Sequence, residues 1–226
     1  IVPNDFFRRA FYSLQWRMQQ LLSRREKKNE EPIYFAKDLQ AMYTVFRDQI
    51  HNPASVLYPS CGFDASPTRV FNNVTFVDKE EGNEGCVAKL QEAGFHALKM
   101  DIREYVPTEE HDLLILLNPA MPADWATPHL RTDGYSIANN YHLTASQLNA
   151  RPDRFSLVGI IDYDAAANTA KLTLNSDGTL RRTVSIDSIE ESRPMEHLAF
   201  VMDARREQRA GLPFERVADR YIFQKK

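Results

Sequence analysis

An unbroken aliphatic run, Leu113-Leu114-Ile115-Leu116-Leu117, stands behind Asp112 and stops at Asn118-Pro119. Runs of this kind belong to parallel strands covered on both faces. Shorter apolar runs at Val56 to Tyr58, Val74 to Val77 and His96 to Met100 predict three earlier strands. Gly134 to Ala138, Phe155 to Ile161 and Arg220 to Gln224 predict three later ones. Between them the spacing changes to that of helices. Phe7, Phe11, Leu14, Met18 and Leu21 recur at intervals of three and four, which predicts a helix from Asn4 to about Lys28. Ile33 to Ile50 predicts a second, with Leu39, Met42, Tyr43 and Phe46 facing inward and Pro53 closing it off. Lys79 to Gly94 predicts a third, with Val87 and Leu90 against the sheet. Thr68 to Phe71, Trp125 to Thr132, Thr144 to Ala150 and Met195 to Arg209 complete the helical set. Lys171 to Leu174 and Thr179 to Ile186 flank Asp177-Gly178, the pattern of a β-hairpin.

Strands that alternate with helices predict an α/β domain with a doubly wound sheet. Ligands in such sheets lie across the carboxyl ends of the strands. The small, turn-forming stretch Pro59-Ser60-Cys61-Gly62 after the first strand and Asp78 at the end of the second therefore face one crevice. We divide the chain into an N-terminal helical segment, 1–52, and an α/β domain, 53–226.

Val56 to Gly62 followed by Asp78, then Asp101 after the third strand and Asn118-Pro119 after the fourth, resembles the class I S-adenosylmethionine-dependent methyltransferases. The resemblance covers Ser55 to His142 and implies a mostly parallel, seven-stranded, methyltransferase-like Rossmann sheet with N-terminal helices and an added β-hairpin. It implies a cofactor loop at Tyr58, Ser60, Gly62 and Asp64, with Asp78 on the ribose and Asp101 and the Ile102 backbone at the adenine. Asp101 can equally cap the turn that follows it. The loop departs from the family in carrying Tyr58 where the strand-end acid stands and Ser60 and Asp64 where glycines stand. Asn118-Pro119-Ala120-Met121 resembles the Asn-Pro-Pro-aromatic box of amino-group methyltransferases, with the second proline and the aromatic missing and Trp125 nearby. The resemblance thus implies a methyltransferase that uses S-adenosylmethionine on an unknown acceptor. The loop departures favour an alternative, a catalytically inactive methyltransferase-like domain that serves as a scaffold or binding module. Asn118 is the residue the box would place on the acceptor; His142 is either a general base or a structural histidine. Tyr34 and Phe35 are either lid residues or packing residues.

The chain of 226 residues is 43% hydrophobic and 26% charged, with net charge −3. This is an ordinary globular composition with no general pull toward nucleic acid. The first 28 residues run the other way, with Arg8, Arg9, Arg17, Arg24, Arg25, Lys27 and Lys28 against Asp5 and Glu26. Interleaved with Phe6, Tyr12 and Trp16, they form either the wet side of a packed helix or a surface for RNA or an acidic protein partner. Two cysteines without metal spacing predict neither a disulfide framework nor a metal site, and a reducing cytoplasm is the expected setting. No apolar run is long enough to span a bilayer. A nicotinamide-dependent dehydrogenase would want three glycines in the loop, and a serine hydrolase a Gly-x-Ser-x-Gly elbow. Neither pattern occurs.

Overall fold

A computed structural model of the chain describes residues 32–119, 121–140, 142–176 and 218–226. The basic helix expected from Asn4 to Lys28, the Thr179–Ile186 arm and the Met195–Arg209 helix lie outside the described residues. The described part holds eight strands in one sheet. They are β1 (Val56–Pro59), β2 (Val74–Asp78), β3 (His96–Lys99), β4 (His111–Leu116), β5 (Leu130–Ala138), β6 (Phe155–Asp164), β7 (Thr169–Leu174) and β8 (Arg220–Lys225). Three α-helices accompany them: α1 (Lys37–Gln49), α2 (Cys86–Glu92) and α3 (Thr144–Asn149).

The strand order is β3-β2-β1-β4-β5-β8-β6-β7. β1 to β5 pair in parallel, and β8 lies antiparallel between β5 and β6. Strand order reverses between β1 and β4, the point at which a doubly wound sheet opens its crevice. The sheet is methyltransferase-like, with the antiparallel strand inserted inside it rather than at its margin. β7 is the edge on that side, and β3 is the opposite edge.

Alternation along each central strand sorts the core into two faces. Val56, Tyr58, Phe76, Leu113, Ile115 and Ile222 pack with α1 and α2 on one side. Leu57, Val77, Leu114, Leu116 and Phe223 pack with α3 and the turns after β4 on the other. Every residue of β4 is buried, which explains the unbroken apolar run that follows His111 and Asp112. In α1 the buried residues are the four that its spacing predicts, with Asp38 in the first turn and Arg47 in the last. That charge placement suits the helix dipole.

Three local expectations change. Between β1 and β2 the chain makes a single 3-10 turn at Ser66–Arg69, with Pro67 at its start. α2 begins only at Cys86 because Glu80, Gly82 and Gly85 take left-handed backbone angles that break a helix. After β4 there are two 3-10 turns, Ala123–Trp125 and Thr127–His129, and β5 already starts at Leu130. Pro128 removes a backbone donor there and stops a longer helix. Among the described residues β6 and β7 form a hairpin of their own. Its turn is built on Asp164, whose carboxylate accepts from the N–H of Ala166 and Ala167, and on the left-handed Asn168. Asp177-Gly178 lies outside the described residues.

Below the sheet's other face, the Tyr105 hydroxyl lies 2.9 Å from His111 Nε2, and His129 meets the Tyr105 ring edge-on. His129 Nε2 reaches the Ile102 carbonyl at 3.0 Å. Burial holds both histidines below the ordinary 6.5. For His111, His129 and His96 push the same way against Asp112; for His129, Lys225 does so against the Ile102 carbonyl and Glu110. The unfolded chain therefore binds protons that the fold refuses, and stability falls as pH drops from 6.5 through the lowered folded values. Thermal midpoints should be level near pH 8 and decline below about 6.5, and His111→Gln should flatten that decline. Identical acid limbs in the two proteins would contradict the assignment.

Candidate functional site

Just past β1 the backbone turns left-handed at Ser60 (φ 53°) and again at Gly62 (φ 55°). A Cβ on Gly62 would come within 3.3 Å of the Asn83 amide, so a side chain there would be strained by the backbone angle and would need Asn83 to give slightly. Ser60 keeps the left-handed path without being glycine, and its N–H donates to the Val77 carbonyl at 2.8 Å. The turn is tied to the end of β2 through Asp78. Oδ2 of Asp78 accepts from the Gly62 N–H at 2.9 Å and lies 4.0 Å from the Cys61 thiol. Oδ1 accepts from the Glu80 N–H at 2.6 Å. Burial pushes the Asp78 carboxyl up from its ordinary value, the two backbone donors oppose this, and Glu80 adds to the rise.

The segment before α1 straps the same turn from above. The Tyr34 N–H donates to the Phe63 carbonyl and the Ala65 N–H to the Tyr34 carbonyl, both at 3.0 Å. The Ala36 N–H reaches Ser66 Oγ at 2.8 Å. Tyr34 is 51% exposed and lines the cleft. Phe35 packs edge-on against Phe95 beneath the Arg69 guanidinium.

Two adjoining cavities occupy the crevice. The smaller, about 130 Å³, is lined by Ser60, Asp78, Asp101, Ile102, Met121 and Trp125 among others. The larger, about 340 Å³, is lined by Tyr34, Tyr58, Gly62, Asp64, Asn139 and Arg220 among others. Ser60, Asn83 and Asn118 border both, so the two are halves of one cleft.

In the smaller half, Asp101 caps the turn after β3 by accepting from the Arg103 N–H at 3.0 Å. It also takes the Arg103 guanidinium at 2.9 and 2.6 Å. That hydrogen-bonded guanidinium holds the Asp101 carboxyl well below its usual range, with burial opposing. Arg103 lies over the Trp125 ring at 4.0 Å, so one face of the indole is covered. In the larger half, Tyr58 is buried and its hydroxyl donates to Asp64 Oδ2 at 3.0 Å. Asp64 Oδ1 accepts from the Ser66 N–H at 2.8 Å and from the Ser66 hydroxyl. Burial raises the Asp64 carboxyl, and the Ser66 and Tyr58 bonds lower it in part.

Asn118 is exposed, left-handed (φ 51°) and paired reciprocally with Asn139. Its N–H donates to Asn139 Oδ1 at 3.1 Å, and Asn139 Nδ2 donates to its Oδ1 at 2.6 Å. His142 stands in the turn ahead of α3 and is not among the residues lining either half. Thus Tyr58, Ser60, Gly62, Asp64, Asp78, Asp101, Ile102 and Asn118 come together on one cleft, and His142 does not join them. Sequence patterns left out Arg220, Asn83 and Arg103. Arg220 had no local signal, since only the insertion of β8 beside β5 brings it to the cleft. Among the described residues no cluster of His, Cys, Asp and Glu could hold a metal.

No protein-family model and no curated protein matches the chain. Solved structures do align with it. The N-methyltransferase NodS from Bradyrhizobium japonicum, in complex with S-adenosyl-L-homocysteine, aligns at 11% identity and TM-score 0.46 over 65% of this chain and 92% of that one. The plantazolicin methyltransferase BpumL, also in complex with S-adenosyl-L-homocysteine, aligns at 12% identity and TM-score 0.40 over 84% and 82%. A putative methyltransferase from Pseudomonas syringae aligns at 14% identity and TM-score 0.40 over 56% and 90%. The fold assignment rests on the strand order above, to which alignments this distant add no weight.

Proposed function

We propose that the chain binds S-adenosylmethionine in this cleft and transfers its methyl group to an unidentified acceptor. The observation that carries the proposal is the Gly62 N–H on Asp78, which closes the turn after β1 onto the acid of β2 beside the switch point. A nucleoside fits the residues of the smaller half. Asp78 accepts three donors and a carboxylate has about four acceptor sites, so capacity remains for a ribose hydroxyl. Met100, Ile102 and Met121 give that half apolar walls. The bound cofactor would supply a methyl group already activated on a sulfonium, so the protein's work is chiefly positioning. That suits a cleft built from hydrogen-bonding loops. Asn118, at the border of both halves, is the residue we assign to the acceptor. Ser60 retains a glycine-like backbone and Asp64 returns an acid to the Tyr58 position, which favours a working loop over an inert scaffold.

No helix among the described residues is long and apolar enough to cross a membrane. Cys61 and Cys86 are free and buried, which suits the reducing cytoplasm that we propose as the setting.

The test is calorimetric titration with S-adenosylmethionine and S-adenosylhomocysteine, alongside thermal shifts. A ligand at 100 times its Kd stabilises the native state by about 2.7 kcal/mol, which a melt would register. Neither heat nor any shift at millimolar ligand would defeat the proposal.

A further inference from the structure

Arg220, the first residue of β8, enters the larger half of the cleft opposite the turn after β1. One end of its guanidinium is fixed, since Nη1 donates to the Asp219 carbonyl at 2.5 Å. Its Nε is buried and has no hydrogen-bond partner. Among the described residues Arg220 forms no ion pair. Asp64 lines the same cavity; burial raises its carboxyl, and the positive charge of Arg220 opposes that rise. Yet the Asp64 oxygens are already bonded by Ser66 and Tyr58. A buried cationic N–H without an acceptor is unfavourable, and a guanidinium edge matches a carboxylate in two parallel bonds.

We propose that Arg220 is the anchor of a carboxylate-binding subsite in the larger half of the cleft. Repulsion favours a monoanion: with Asp64 already in the same cavity, a carboxylate adds one negative charge beside it where a phosphate dianion would add two. The carboxylate belongs either to the amino-acid end of the proposed cofactor or to the methyl acceptor. The subsite itself does not depend on the cofactor assignment.

The test compares the native chain with Arg220→Gln, with folding checked by circular dichroism. Three probes are used: acetate against chloride at matched ionic strength, S-adenosylhomocysteine, and 5′-methylthioadenosine, which lacks the amino-acid end. Acetate is expected to raise the melting point of the native chain and not of R220Q. If the cofactor supplies the carboxylate, R220Q weakens S-adenosylhomocysteine about tenfold, the scale of a lost charge-assisted pair. It then leaves 5′-methylthioadenosine unchanged, and saturating S-adenosylhomocysteine abolishes the acetate effect. If the acceptor supplies it, R220Q leaves both adenosyl ligands unchanged and the acetate effect survives saturation. An acetate response absent from the native chain or equal in R220Q, together with unchanged S-adenosylhomocysteine affinity, overturns the subsite. Should the native chain bind no adenosyl ligand, the cofactor proposal fails while the acetate comparison still decides on Arg220. Should R220Q not fold, Arg220→Lys decides. It keeps the charge without the fork, so a weaker acetate response supports the subsite and an unchanged one rejects it.

Discussion

Phe76→Ala is expected to cost about 3–5 kcal/mol of folding stability, the range for deleting a buried aromatic ring. Phe76 is fully buried in β2, with Tyr58 on one side and Phe95 on the other, each ring centroid 6.1 Å away. Neither neighbour can swing into the void without leaving its own partners. Tyr58 is held by Asp64, and Phe95 packs against Phe35. The cavity therefore stays open and its cost is added to the lost transfer energy. Domains of this size have about 5–15 kcal/mol to lose, so the variant should sit near the edge of folding at 37 °C. The damage also falls where the cleft is built, because Phe76 lies two residues before Asp78 on the same face of β2. Urea unfolding by circular dichroism measures the change, read as a shift in midpoint at constant slope. A loss under about 1 kcal/mol, the scale of an ordinary surface change, would mean that this face repacks freely.

What could be read from the sequence follows from how local each signal is. β1, β2 and β4 announce themselves because both faces are covered, so within their apolar runs only the buried Thr75 is polar. Asp78 was legible for the same reason, as the acid at the end of such a run. The limits of α2 were not legible. Composition across 79–85 suits a helix, but Glu80 caps α2 instead, its Oε1 accepting from the Val87 N–H at 3.1 Å from a left-handed position. The Tyr58–Asp64 bond was hidden as well, since residues six apart meet only once the Gly62 turn has curled back. Arg220 was hidden most completely. Its place depends on β8 entering between β5 and β6, a pairing that joins residues about ninety positions apart and leaves no local mark.

Asp78→Ala is expected to reduce affinity for S-adenosylhomocysteine about 10- to 100-fold, the loss of one or two charge-assisted hydrogen bonds. Two effects on the protein itself run against each other. The variant strips the Gly62 and Glu80 N–H groups of their acceptor, which loosens the turn after β1. It also removes a carboxylate whose burial raises its pKa and so costs stability at neutral pH. The variant should thus fold with little net change while binding poorly, and measuring Kd by calorimetry below its melting midpoint separates the two. The pH dependence gives a second signature. Because burial raises the Asp78 carboxyl, ligand affinity in the native chain should fall as acid protonates it, starting above the ordinary 3.8. Asp78→Ala should lose that limb. Equal affinity in the two proteins, with the limb still present, would move the adenosyl ligand away from β2 and take the methyltransferase assignment with it.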